Sequence, residues 1–173
     1  MANISLDEEE IGIANIGDTL TFPNVRSCTA IAVYLKSGQI VGGHYTQTKP
    51  DESFSREAFT SNFLYILRRI AQERIRAALF IRPKKKAYNQ GLGQSQCVFL
   101  ISSSWGYDIP TAEANIKMHF QSPTIVRIDV DVPGMDIIFN TSNKQLVINN
   151  HDTNGNIKTY QNFLKIPAGL NFV

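Results

Sequence analysis

Residues 25–45 read VRSCTAIAVYLKSGQIVGGHY, and the fold turns on how this stretch is divided. Thr29–Leu35 is rich in alanine, isoleucine, valine and tyrosine, a mix that suits a buried strand. Ile40–Thr46 is a second such run. Lys36-Ser37-Gly38 between them has the form of a three-residue hairpin loop, whose third residue is left-handed and takes glycine most easily. In that register Leu35 pairs with Gln39 and Ala30 with His44, and Cys28 lies two residues further along the face that carries His44. Such diagonal neighbours are about 7–8 Å apart at the backbone, a gap a thiol and an imidazole can close. A two-residue loop, Ser37-Gly38, would shift the pairing by one and send the two to opposite faces.

The hairpin has one bulky face, with Thr29, Ile31, Val33, Leu35, Val41 and Tyr45, and one small face, with Cys28, Ala30, Ala32, Gly42, His44 and Thr46. Small residues around a cysteine and a histidine admit a closely packed neighbour or leave a concave opening. The first outcome makes Cys28 a buried structural thiol. The second makes it a nucleophile beside its base.

Outward from the hairpin, the 173 residues suit a single domain with its own core, with residues 1–10 expected as a flexible acidic tail. Ile11–Thr21 alternates weakly, as an edge strand does. Phe59, Phe63, Ile66, Leu67 and Ile70 fall at helical spacing and predict a helix over Ser53–Glu73, with Ser53 or Ser55 as N-cap. Ala77–Ile81 and Gln96–Ser102 read as short strands, separated by a loop containing Lys84–Lys86 and Gly91-Leu92-Gly93. A second helix is expected over Ile109–Gln121, with Thr111 as cap and Ala112, Ile116 and Phe120 on one face. Thr124–Val132 alternates, Asp136–Asn140 and Gln145–Asn149 bracket a hairpin loop, and Ile157–Phe163 reads as a last strand. The pattern is that of one α+β domain with a mixed or antiparallel sheet and two main helices.

Hydrophobic residues make up 43% and charged residues 18% of the chain, an ordinary globular balance rather than a disordered one. A net charge of +2 is too small to argue for nucleic acid. No apolar run reaches the roughly 18–20 residues that span a bilayer. Two cysteines do not make a disulfide framework, so a reducing compartment is expected. The start, MANISLDEEEIG, has neither a basic nor an apolar segment of the secretory kind. No metal-ligand spacing such as CxxC or HExxH occurs, and no metal or cofactor is expected. Lys84, Lys85 and Lys86 beside Tyr88 form a basic loop able to dock an acidic surface, although most charge runs are solvated faces. Cys97 reads as a core residue of its strand, His119 as structural, and His151-Asp152 as a polar turn.

With these residues in place, the chain resembles the bacterial glutamine deamidases of the chemoreceptor-deamidase (CheD) and cytotoxic-necrotizing-factor superfamily. There a short Ser/Gly-Cys motif opens a β segment and the base histidine follows at about this spacing. Here Ser27-Cys28 and Val41-Gly42-Gly43-His44 stand in those places, and IIFNTSNKQLVIN resembles the closing β hairpin. The likeness implies a β-sandwich-like core, Cys28 as nucleophile and His44 as base. It also implies an upstream threonine or main-chain carbonyl orienting the histidine, with Thr21 in that role and Thr19 next to it. Asn24-Val25-Arg26-Ser27-Cys28 stands where the chemoreceptor enzymes have Gly-Leu-Gly-Ser-Cys, which favours a toxin or effector over a chemotaxis enzyme. A cytoplasmic protein of the producing bacterium, or one translocated into a host or target cell without a cleavable signal, is then expected.

The chemistry so implied is attack of the Cys28 thiolate on the carboxamide of a protein glutamine. The backbone amides of Ser27 and Cys28 would hold the oxyanion, and water would hydrolyse the thioester, with transglutamination as a side activity. Tyr45 and Gln47 would shape the substrate rim and Lys84–Lys86 contact the partner. The alternatives are a cysteine peptidase or amidase and a non-catalytic protein-binding module.

Overall fold

The computed structural model describes residues 1–46, 56–81, 93–102, 109–121, 123–130, 134–152 and 156–166. They form a single small α+β domain with two helices and two mixed sheets. The strands are β1 (Asn3–Ser5), β2 (Glu10–Ala14), β3 (Thr19–Val25), β4 (Cys28–Leu35), β5 (Ile40–Thr46), β6 (Ser95–Ser102), β7 (Thr124–Asp129), β8 (Met135–Asn140), β9 (Gln145–Asn150) and β10 (Ile157–Tyr160). The helices are α1 (Arg56–Ile81) and α2 (Ile109–Phe120), with a short 3-10 turn at Phe163–Lys165.

The first sheet has the order β1-β3-β8-β9-β10 and the second β2-β5-β4-β6-β7. Pairing is antiparallel except at β1–β3 and β6–β7. The sheets pack face to face around Leu20, Phe22, Ala30, Ala32, Phe99, Ile137, Phe139 and Phe163. Rings there meet edge-on or tilted, Phe99, Phe139 and Phe163 at centroid distances of 4.9 to 5.8 Å. The other face of the second sheet carries the helices, with Ile31, Val33, Leu35, Val41 and Tyr45 against Phe63, Ile66, Leu67, Ile70, Ile116 and Phe120.

The β4–β5 hairpin adopts the three-residue register. Ala30 pairs with His44, Cys28 with Thr46, and the turn closes through Leu35 N–H to Gln39 O and Gly38 N–H to Leu35 O, both at 2.9 Å. Gly38 has φ +90°, the left-handed backbone that the loop demands. The small face turns to the first sheet and the bulky face to the helices. A Cβ on Gly42 would lie 2.8 Å from both Leu20 Cδ2 and Phe22 Cζ, and one on Gly43 would lie 2.9 Å from Ile66 Cγ2. These two glycines let β5 sit closely between both layers.

Four expectations are corrected. Ala77–Ile81 is the last turn and a half of α1 rather than a strand. No glycine or proline interrupts Glu73–Ile81, alanine is the best helix former, and Ala77 is buried in the apolar stripe. Thr111 lies inside α2, not at its cap, because the helix begins at Ile109 with Pro110 in its first turn. Ile11–Thr21 is not one edge strand: a turn closed by Asp18 N–H to Asn15 O divides it, and β2 and β3 enter different sheets. Residues 1–10 are not a loose tail but form β1, the buried Leu6, an acidic turn and the start of β2. Their backbone is satisfied by β3 on one side and β5 on the other, a pairing that polarity alone does not disclose. Ser53, Ser55, Gln47, Lys84–Lys86 and Gly91 lie outside the described residues.

Candidate functional site

The site is built where the chain passes from the first sheet to the second above His44. β1 runs parallel to β3, and the Leu6 amide extends that pairing by donating to Thr21 O at 2.9 Å. Asp7–Glu10 then turns, with Asp7 N–H on Glu10 Oε2 at 2.8 Å and Glu9 in left-handed backbone at φ 69°. Glu9 N–H donates to His44 O at 2.7 Å and the Glu9 carboxylate accepts Thr46 N–H at 2.9 Å. The acidic turn is thereby bolted across the end of β5.

His44 is 1% exposed. Its Nδ1 lies 2.9 Å from Leu6 O, and since a carbonyl only accepts, Nδ1 carries the proton. Nε2 is buried without a hydrogen-bond partner. The Phe22 ring meets the imidazole edge-on at 6.1 Å between centroids. That arrangement fixes the ring through Nδ1 and leaves Nε2 as the nitrogen that would face a reacting group.

Cys28 begins β4 and is 2% exposed. Its register places it diagonally across from His44 on the same face. The thiol donates to Glu8 Oε1 at 2.8 Å. Burial first, then the Glu8 hydrogen bond and the charges of Glu8 and Glu9, push its pKa well above the ordinary thiol range, and a hydrogen bond from Ser27 pulls the other way. The thiol is protonated in this arrangement, turned to Glu8 and not to Nε2.

Asp7, Glu8, Pro23, Asn24 and His44 line an open cleft of about 360 Å³. Its far wall comes from an irregularity in β3 between Phe22 and Val25, where Pro23 interrupts the pairing with β8 and Asn24 takes φ 49°. Asn24 N–H is held by Asp136 Oδ1 at 2.8 Å. The sandwich is closed at Gly42 and opened by this bulge beside His44.

The register sets Cys28 and His44 diagonally on one face of the hairpin without a hydrogen bond between them, and the other residues the sequence singled out lie apart from the imidazole. The Thr21 hydroxyl donates to Asn3 Oδ1 at 3.2 Å and the Thr19 hydroxyl to the same atom at 3.0 Å, so neither touches the imidazole. The main-chain carbonyl that holds His44 belongs to Leu6, and Thr21 reaches it only through its own carbonyl. Tyr45 is buried on the helix side of β5 against Phe63, the opposite face from the cleft, because alternate strand residues point apart. Ser27 is exposed at the bend before Cys28. Gln47 and Lys84–Lys86 lie outside the described residues.

Cys97 is buried in the sandwich opposite Tyr34, and burial pushes its thiol up to about 12. His119 Nδ1 is tied to Asn115 O at 2.8 Å within α2. His151 pairs with Asp136 at 2.9 Å rather than with Asp152. Among the described residues no group of three or more histidine, cysteine, aspartate or glutamate side chains is placed to hold a metal ion, and no described helix is long and apolar enough to cross a membrane.

Sequence reasoning missed Leu6 and Glu8. An isolated leucine ahead of DEEE has no periodicity, and only the parallel pairing of β1 with β3 carries both to the site. No protein-family model matches the chain, and no curated protein matches it.

Proposed function

We propose that this protein is a cysteine-dependent amidohydrolase acting on the side-chain carboxamide of protein glutamine, of the kind found in the CheD and cytotoxic-necrotizing-factor superfamily. The observation that supports this reading is His44 on the cleft wall, with Nδ1 fixed on a main-chain carbonyl and Nε2 buried without a hydrogen-bond partner, diagonally across the hairpin from Cys28.

In the reaction, rotation about χ1 takes the thiol from Glu8 toward Nε2, a change between the rotamers ordinarily used in strands. His44 takes the proton and the thiolate adds to the carboxamide carbon. The C–N bond breaks as His44 returns the proton to the departing ammonia, leaving a thioester. Water, deprotonated by His44, then releases glutamate and restores the thiol. The amides of Ser27 and Cys28, at the bend where β4 begins, would hold the developing oxyanion. The run Asn24–Cys28, without the glycines of the chemoreceptor enzymes, favours a toxin or effector domain with a protein substrate.

A second reading, a non-catalytic binding module, draws on the Cys28–Glu8 hydrogen bond, which holds the thiol protonated and covered. The test is proteomic. Cell extracts treated with wild type and with Cys28→Ser are compared by mass spectrometry for glutamines converted to glutamate. Sites converted by wild type alone are expected. New peptide termini instead would make the protein a peptidase, and the absence of any Cys28-dependent product would overturn the reading in favour of the binding module.

A further inference from the structure

We infer that Glu8 selects the substrate at Cys28, admitting an uncharged primary carboxamide and rejecting the carboxylate that hydrolysis produces. The inference rests on the amidohydrolase reading and assigns a role to a residue that the Cys–His pair leaves over.

Glu8 lines the cleft and also accepts from the thiol, its Oε1 2.8 Å from Sγ. Cys28 does not line the cleft itself and is linked to its wall through this carboxylate. When the thiol turns to His44, it vacates an acceptor beside the carbon under attack. A glutamine carboxamide has an N–H donor to offer that acceptor, and a glutamate carboxylate has none. The three remaining carboxylates of the turn strengthen the bias, Asp7 on the cleft wall and Glu9 and Glu10 holding the backbone in place. Two like charges about 4 Å apart cost about 1 kcal/mol in water and several times that near a protein surface. A primary amide with a donor is therefore retained while its product is expelled.

The selection can be read without knowing the target. Iodoacetamide and iodoacetate deliver the same methylene to a thiol, one carrying a carboxamide and the other a carboxylate. Alkylation rates at Cys28 are measured by peptide mass spectrometry for both reagents, and their ratio is divided by the ratio for glutathione. Any opening motion is common to the two reagents and cancels. Wild type is expected to prefer iodoacetamide at least about fivefold beyond glutathione, the factor that about 1 kcal/mol gives, and Glu8→Gln and Glu8→Ala to lose most of that preference. A wild-type ratio equal to that of glutathione overturns the inference, as does an unchanged ratio in folded Glu8 variants. So does failure of both reagents to reach Cys28. A lost preference with no deamidated target in any extract would refute the amidohydrolase reading and leave the selectivity standing. Deamidation with no preference would do the reverse.

Discussion

Replacing Gly42 by alanine tests whether the site is framed by closure of the sandwich. The added methyl would lie 2.8 Å from Leu20 Cδ2, 2.8 Å from Phe22 Cζ and 3.2 Å from Leu6 Cδ1. Carbon atoms rest at about 3.5–4.0 Å, so all three side chains must retreat by roughly 0.3–1 Å. Leu20 and Phe22 are fully buried and have no free space to enter. Overpacking of this kind costs about 1–3 kcal/mol, and exchanging glycine for alanine in a strand returns about 0.5–1 kcal/mol of backbone entropy. A net loss between about 0 and 2.5 kcal/mol follows, and its centre at about 1.25 kcal/mol lowers Tm by roughly 2.5–5 °C for a domain of this size. Urea unfolding is the assay, with a lower midpoint and an unchanged slope expected. Combining Gly42→Ala with Leu20→Ala, which removes the obstructing methyls, should give a total loss smaller than the sum by about 0.5–3 kcal/mol. A Gly42→Ala protein more stable than wild type, or losses that simply add in the double variant, would refute the close packing at Gly42.

The remaining predictions concern the site. The Cys28 pKa is raised in the folded protein, so the neutral thiol contributes stability that is present below the ordinary value near 9.0 and lost as pH rises beyond it. Glu8→Gln lowers the folded pKa, so alkylation of Cys28 by iodoacetamide should begin at lower pH and alkaline destabilisation should diminish; a pH series with both proteins checks the sign. His44→Asn keeps a donor for Leu6 O but removes the base, and should cost activity on any identified target by about 10²–10⁴-fold with stability close to wild type in urea. Thr21→Val removes only the exposed bond to Asn3 and should leave activity within about twofold, because exposed hydrogen bonds contribute about 0.5–1.5 kcal/mol to stability and this one does not reach the imidazole. A large loss of activity in a folded Thr21→Val protein would restore threonine to the orienting role.

The hairpin was legible because Gly38 determines its register, and the register alone places Cys28 and His44 on one face. The stripe Phe63, Ile66, Leu67 and Ile70 was equally plain, since one face of a helix repeats in the sequence. What could not be read was anything set by pairing between distant segments. β1 joins β3 through main-chain bonds that carry no side-chain signature, and so the sequence points to Thr21 as the orienting group and leaves the alternative, an upstream main-chain carbonyl, without a position; that carbonyl is Leu6 O. Glu8 was hidden for the same reason, in a run of acids that reads as solvated. The end of α1 was misjudged where a short apolar run fits strand and helix alike.

The Leu6 peptide has a mechanical consequence. Its N–H grips β3 of one sheet and its C=O grips the imidazole borne by β5 of the other. One residue thus rivets the two halves of the sandwich, and the base is the head of the rivet. A shift of one sheet relative to the other would therefore pull on the Leu6 peptide and, through it, on the ring of His44.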